Sequence, residues 1–374
     1  MVAALTGFAP DDCPRLVVKI GSSLLVAEDG TVRRDWLATL VGEMAERQRA
    51  GQKIILVSSG AIAFGARLLG LEGGGRKSLD DAQAAAAAGQ IALSQCWAEL
   101  LGAHDLRAAQ ILVTLGDLED RRRYLNAAAT LDRLLRLDAV PLINENDSVA
   151  TEEIRFGDND RLAARIGQAA RADGIVLLSD VAGLYSADPR RDETAELIRS
   201  VETIDARIGA MAAGASTMGS GGMASKVEAA RIATAAGMPL AIISGQQDAP
   251  LTAFAESGIG TIFTAERAPS AREAWMAGRL TAAGRITIDG GAARALRDGN
   301  SLLPAGVTGL SGAFGRGDVV DIADEDGTII ARGLAEYDSE ATQKIMGRKT
   351  GELEAILGYA PRPALVHRNH MVFL

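Results

Sequence analysis

Six short, uninterrupted aliphatic runs, separated by segments of helical length, constrain this chain more than any other feature. The runs are Leu16–Ile20, Lys53–Val57, Ala109–Leu115, Ala139–Asn144, Gly174–Ser179 and Leu240–Ser244. They are predominantly apolar rather than alternating, which predicts strands covered by helices on both faces. Between them lie Arg33–Ala50, Asp80–Leu101, Asp120–Leu137, Asn159–Ala170 and Ala224–Ala236, with stop signals such as Gly51 and Gly237-Met238-Pro239. A βαβα alternation predicts an α/β fold: a doubly wound, mostly parallel sheet sandwiched by helices. In such a fold ligands bind outside the carboxyl ends of the strands.

After about residue 280 the texture changes. Arg285–Asp289 is a short alternating strand, and Gly317–Ala323 and Thr328–Leu334 read as two more, joined by the turn Asp324-Glu325-Asp326-Gly327. Short helices are predicted over Gly291–Arg297 and Ser339–Gly347. With 374 residues, the chain suits two domains rather than one core. The expected division is 1–268, a linker over 269–284, and a small β-rich module over 285–374.

Charge and composition remove several classes. A net charge of −9 argues against non-specific nucleic-acid binding and requires any anion site to gather its basic residues locally. Two cysteines, Cys13 and Cys96, form no CxxC pattern, so a disulfide scaffold is not expected and a reducing cytoplasm is the default. Three histidines, His104, His367 and His370, are too few and too scattered for a His-rich metal centre. No apolar stretch reaches signal-peptide or membrane-span length, and no membrane partner is expected.

Five segments place polar residues at strand ends or in glycine-rich turns. In Lys19-Ile20-Gly21-Ser22-Ser23 the lysine is the only charge in an apolar strand, and a buried lysine needs an anionic partner. Ser58-Ser59-Gly60-Ala61 offers hydroxyl donors beside a permissive glycine, although a strand-to-helix turn with a Ser N-cap explains it equally. Asn144-Glu145-Asn146-Asp147 is dense in polar groups for a turn, and Asp147 is suited to accept from an ammonium group. Phe156-Gly157-Asp158-Asn159-Asp160 opens a helix; one Asp or Asn is accounted for as N-cap, not all three. Met218-Gly219-Ser220-Gly221-Gly222-Met223-Ala224-Ser225-Lys226 delivers a lysine to a helix N-terminus, an arrangement suited to anions. No G-x-x-x-x-G-K-[ST] motif occurs.

Taken in this order, the segments VVKIGSS, VSSGAIAFG, INENDSVATEEIRFGDNDRLAA, LLSDVAGLYSADPR and GSGGMASKVEAA resemble the amino-acid kinase family. SLLPAGV, FGRGDVV and the closing LGY and VHR resemble a PUA domain. The paired ENDSV and FGDND segments resemble the branch that phosphorylates the side-chain carboxylate of glutamate. Ser22 and Ser179 stand where many members have threonine, which retains a hydroxyl. The resemblance implies an amino-acid kinase fold followed by a PUA-like domain, and a reaction between ATP and L-glutamate that gives L-glutamyl 5-phosphate, a first step toward proline. It implies Lys19 and Lys226 flanking the transferred phosphoryl group, with Asp160 orienting both. Ser59, Asp147 and Asn159 would bind glutamate. Lys19, Ser179 and Asp180, with Ser220, Gly221, Gly222, Met223, Ala224, Ser225 and Lys226, would bind ATP. Mg²⁺ would be held through the ATP phosphates, with no protein ligand assigned. Proline as a feedback inhibitor and a homo-oligomer, dimer or tetramer, are also implied. Sibling kinases acting on aspartate, acetylglutamate, carbamate or a nucleotide remain as alternatives in which the acceptor alone changes. RNA is not an expected partner: residues 285–374 carry ten Lys/Arg against twelve Asp/Glu, where a phosphate-binding module should be basic.

Overall fold

The computed structural model describes residues 6–27, 31–149, 158–214, 222–265, 282–359 and 361–373. Chain contacts divide it into two compact units, Met1–Arg267 and Ala268–Leu374. The expected linker lies largely outside the described residues, and its last residue, Gly284, already begins a strand.

The first unit is built on eight strands: β1 (Arg15–Ile20), β2 (Lys53–Ser58), β3 (Arg107–Val113), β4 (Ala139–Glu145), β5 (Gly174–Ser179), β6 (Ser200–Val201), β7 (Leu240–Ser244) and β8 (Thr261–Phe263). Their order is β3-β4-β2-β1-β5-β7-β8-β6, and every pairing is parallel except β7 with β8. Leu16, Val18 and Ile20 of β1 face a layer holding Trp36, Leu37, Leu40, Leu93 and Trp97. Val17 faces the opposite layer with Leu162, Ala163, Val227 and Ala230. That period-two alternation splits the core into two aliphatic layers, one on each face of the sheet.

The runs read as strands are strands, except that Thr114 and Leu115 at the end of the third cap and open the Leu115–Glu119 helix. The five helices fall within a residue or two of their expected limits, as Arg34–Arg49, Leu79–Gly102, Arg121–Arg136, Asn159–Ala170 and Met223–Ala235. One run departs from the two-sided covering expected of all six. β3 pairs only with β4, and Arg107, Gln110 and Leu112 are exposed, because an edge strand has a neighbour on one side only. The helices Ala61–Leu69 and Pro250–Ser257 and the short strands β6 and β8 were not expected. They are too brief to express a period.

Two glycines set how closely the Ala61–Leu69 and Leu79–Gly102 helices approach. A Cβ on Gly65 would lie 1.7 Å from the Ala85 carbonyl oxygen, and one on Gly89 would lie 1.8 Å from that of Ala61. Backbone therefore packs on backbone, a contact open only to residues without a side chain. Ser78, whose hydroxyl accepts from the Asp81 N–H, caps the longer helix.

The second unit carries β9 (Gly284–Ile288), β10 (Val307–Gly312), β11 (Val319–Ala323), β12 (Ile329–Ala335) and β13 (Val366–Phe373) in the order β10-β9-β11-β12-β13. Ile286, Ile288, Val320, Ile322, Leu365 and Val366 form its core with Leu296 and Ile345 from two short helices. β10 and β13 escaped the sequence reading, since Thr308 and Gly309 break one run and His367-Arg368-Asn369-His370 gives the other a polar middle. Buried Glu336 gathers Arg362 at 2.7 Å and Arg316 at 3.6 Å, with His370 Nδ1 lying 3.6 Å away. No helix among the described residues is long and apolar enough to cross a membrane.

Candidate functional site

Lys19 is the fifth residue of β1, so the pleat places it on the same face as Val17, toward the Asn159–Ala170 and Met223–Ala235 helices. Both helices begin at the carboxyl edge of the sheet, and each contributes one charge to meet it. Asp160 Oδ1 lies 2.5 Å from Lys19 Nζ, and Asp160 Oδ2 accepts from Lys226 Nζ at 2.9 Å. All three residues are buried, with at most 5% of any one exposed, so water does little of the charge neutralisation. Burial alone would raise the pKa of Asp160, but the Lys19 and Lys226 charges outweigh it and hold the carboxyl below its ordinary range. Burial pulls the Lys19 ammonium below its usual value; Asp160 opposes that pull and Lys226 adds to it. Two ammonium groups converge on one carboxylate here, with the Asp158 charge also acting on Lys19, an arrangement suited to an incoming anion.

The helix starts are joined directly. Asp158 caps the Asn159–Ala170 helix by accepting from the Arg161 N–H at 3.3 Å, and it also accepts from the Ser225 hydroxyl. Gly222 caps the Met223–Ala235 helix without a side-chain bond, leaving its positive dipole end beside Lys226. Gly222, Met223, Ala224, Ser225 and Lys226 are thus brought to the site, whereas Ser220 and Gly221 lie outside the described residues.

A neutral polar network adjoins the charged cluster. Asn159 Nδ2 donates to Ser59 Oγ at 2.9 Å and to Asn144 Oδ1 at 3.1 Å. Asn144 Nδ2 donates in turn to Gln90 Oε1 at 2.7 Å. Ser58, at the end of β2, accepts from Trp97 Nε1 at 2.9 Å. The helix after β2 is capped by Gly60 in a left-handed conformation, φ 102°, rather than by a serine. Ser59 is therefore spared for side-chain contacts.

Asp147 opens a single 3₁₀ turn just past β4. Its carboxyl is buried, and Oδ1 has no hydrogen-bond partner among the described residues. Burial pushes its pKa up to about 6, with Arg76 offsetting only part of that rise. Ser179, at the end of β5, is also buried and donates to Asp180 Oδ1 at 3.2 Å. Asp180 is exposed and ion-paired with Arg190 at 2.6 Å. Contacts therefore unite Lys19, Asp160 and Lys226 in one group and Ser59 and Asn159 in another, consecutive Asn159 and Asp160 joining the two. Asp147 and the Ser179-Asp180 pair stand at the same sheet edge without a hydrogen bond to either group among the described residues.

The sequence reading passed over Asn144 and Gln90. Asn144 lay inside a segment that had been singled out, and its in-phase position with Leu142 and Val140 marks it as inward-facing. Gln90 was hidden by alanines, although it is the one polar residue among the buried positions of its helix.

Residues 14–244 match the amino acid kinase family, and residues 284–357 match the PUA domain. A glutamate 5-kinase of Zymomonas mobilis subsp. mobilis is 63% identical over 369 residues, covering 98% of this chain and 93% of that protein. A glutamate 5-kinase of Sphingopyxis alaskensis is 63% identical over 369 residues, covering 98% and 99%. One from Novosphingobium aromaticivorans is 58% identical over 364 residues, covering 97% and 96%.

Proposed function

The chain belongs to the amino acid kinase family, and from that premise we propose that it transfers the γ-phosphoryl group of ATP to the side-chain carboxylate of L-glutamate. The observation that carries the proposal is the buried Lys19–Asp160–Lys226 cluster, which brings two ammonium groups to one carboxylate at the sheet edge. The names of the relatives supply the acceptor. A carboxylate is ionised at neutral pH, so it needs no general base. The barrier is the approach of one anion to another, which positioning and neutralisation lower.

In this reading the γ-carboxylate oxygen attacks the γ-phosphorus in line, the bond to the β-phosphate oxygen breaks, and ADP departs carrying the charge. Lys19 and Lys226 neutralise the phosphoryl oxygens while Asp160 holds both in place. Ser179, Asp180 and the 222–226 helix start cradle the nucleotide, together with Ser220 and Gly221 of the preceding loop. Ser59 and Asn159 bind the amino acid, and Asp147 takes its ammonium group. Both Asp160 oxygens are engaged by lysines, so the donors at the cluster suit phosphate better than a chelated metal. Mg²⁺ would be carried on the ATP phosphates, where it adds charge neutralisation. Feedback inhibition by proline, a homo-oligomeric cytoplasmic enzyme and a structural or regulatory PUA-like module complete the proposal on the family resemblance.

The test is glutamate-dependent release of ADP in the presence of ATP and Mg²⁺, with the acyl phosphate trapped as its hydroxamate and aspartate and acetylglutamate run in parallel. Signal with glutamate alone supports the reading. Signal with another acceptor instead would keep the lysine cluster and discard the roles of Ser59, Asp147 and Asn159.

Asp147 carries a prediction with two opposite signs. A raised carboxyl pKa means the ionised form is disfavoured in the fold, so with the pKa pushed up to about 6, Asp147→Asn should stabilise the protein at pH 7 by about 3 kcal/mol at most. The same substitution should raise KM for glutamate by roughly tenfold or more through loss of a charged partner. In the wild type, glutamate affinity should fall as pH drops through about 6, where Asp147 takes up its proton. Thermal melts and KM against pH read both effects; a flat KM between pH 5 and 7 would remove Asp147 from the site.

A further inference from the structure

A directed chain of hydrogen bonds runs from the long Leu79–Gly102 helix into the site. At its far end the Ser94 hydroxyl donates to the Gln90 backbone carbonyl at 2.7 Å. A carbonyl can only accept, so the Ser94 oxygen is left to accept, and Gln90 Nε2 donates to it at 3.1 Å. Gln90 Oε1 must then face Asn144, whose Nδ2 donates to it at 2.7 Å. At the near end the Glu145 backbone N–H, which can only donate, gives to Asn144 Oδ1 at 2.9 Å. Asn144 Oδ1 therefore faces Asn159, which presents Nδ2 to it and to Ser59. The direction of each amide is fixed by backbone groups at both ends, not by shape alone. Asn159 Oδ1 is left buried, with no hydrogen-bond partner among the described residues. Asp147 Oδ1 is another buried acceptor without a hydrogen-bond partner among the described residues.

We propose that Gln90 is a positioning residue for substrate recognition: by accepting from Asn144 it sets the direction of the Asn159 amide, so that an acceptor rather than a donor meets the ammonium group of the amino-acid substrate. This rests on the reading of the acceptor as L-glutamate given above. A carboxyl oxygen and an amide oxygen, both buried and both in need of donors, suit an ammonium group with several N–H bonds to give. With Gln90 gone, Asn144 Nδ2 loses its acceptor in a buried position. Rotating the amide to relieve that would set Nδ2 against the Glu145 N–H and turn a donor toward the substrate.

The experiment is steady-state kinetics on the full chain with glutamate and ATP varied separately, for wild type, Gln90→Met, Gln90→Glu and Ser94→Ala. Methionine keeps the length and removes the acceptor, whereas glutamate keeps an acceptor facing Asn144. Gln90→Met should raise KM for glutamate roughly tenfold while kcat and KM for ATP stay within about twofold, and Gln90→Glu should stay within about threefold of wild type. Ser94→Ala should raise KM for glutamate by about threefold, and because alanine favours helix it keeps the test standing should Gln90→Met fail to fold. A glutamate KM unchanged in both Gln90→Met and Ser94→Ala would overturn the proposal. So would equal shifts in KM for glutamate and for ATP, or Gln90→Glu as impaired as Gln90→Met. Absence of glutamate-dependent turnover in the wild type would overturn the substrate reading and the relay with it; wild-type turnover with unshifted variants overturns the relay alone.

Discussion

Lys226→Ala is expected to yield a folded protein whose kcat is lower by about two to three orders of magnitude, the usual loss when one preorganised electrostatic group is removed from an acyl- or phosphoryl-transfer site. Folding should survive because Asp160 keeps Lys19 at 2.5 Å, so the buried carboxylate retains a cationic partner. Catalysis should not survive, because one of the two ammonium groups proposed to face the transferring phosphoryl group is lost. Far-ultraviolet dichroism and a thermal melt check the first half, and kcat from ADP release checks the second. Lys226→Met, which retains the buried stem, separates packing from charge. A near-wild-type kcat in both variants would remove Lys226 from the transition state. Arginine is not expected to rescue, since a planar fork does not fit where a point charge meets one carboxylate oxygen at 2.9 Å.

Asp160→Asn should be worse for stability than for any other property. The asparagine keeps the volume but strands two buried ammonium groups side by side, a change of about 3–5 kcal/mol by comparison with other broken buried pairs. That is a large share of the total stability of an ordinary domain. The pH dependence gives the mechanism away. In the wild type the depressed Asp160 pKa contributes stability above the ordinary carboxyl range, and that stability is lost in acid as pH falls through the folded value. In Asp160→Asn the surviving problem is excess positive charge, so stability should increase as pH rises from 7 to 9 and a buried lysine sheds its proton. Melts of both proteins at the two pH values decide it; a variant equally unstable at pH 7 and pH 9 would mean that packing, not charge, is what Asp160 supplies.

Much of this site was legible in the sequence because its chemistry sits where α/β topology concentrates it. A lone lysine in an aliphatic strand, as at Lys19, has to be paired if buried, and an Asp-Asn-Asp run at a helix start exceeds what capping requires. The fold followed from runs long enough to express a period, so the strands holding Lys19, Ser58 and Asn144 came out within a residue or two. What stayed hidden depends on distances across the sheet. Asn144 and Asn159 belong to opposite layers and meet only because the crossover from β4 to β5 brings the Asn159–Ala170 helix back over the carboxyl edge. Gln90 is a further 54 residues from Asn144 in the chain, and no local pattern in an alanine-rich helix announces such a partner. β13 was lost for another reason: its middle, His367-Arg368-Asn369-His370, is polar, with His370 turned toward Glu336, so it has no apolar run to betray it.

The close approach through Gly65 and Gly89 bears on how this protein can be made to tolerate heat. Exchanging a helix-interior glycine for alanine is a standard stabilising change, worth about 1 kcal/mol through helix propensity alone. At these two positions the sign reverses, because the added methyl would have to lie inside the partner helix's backbone, 1.7 and 1.8 Å from a carbonyl oxygen. Gly42 offers the contrast. It lies inside the Arg34–Arg49 helix with nothing within 4 Å of where a Cβ would stand, so Gly42→Ala should raise the melting temperature where the same change at Gly65 lowers it. Three helical glycines, alike in a sequence alignment of composition, thus divide into one that tightening can improve and two that it would pry apart.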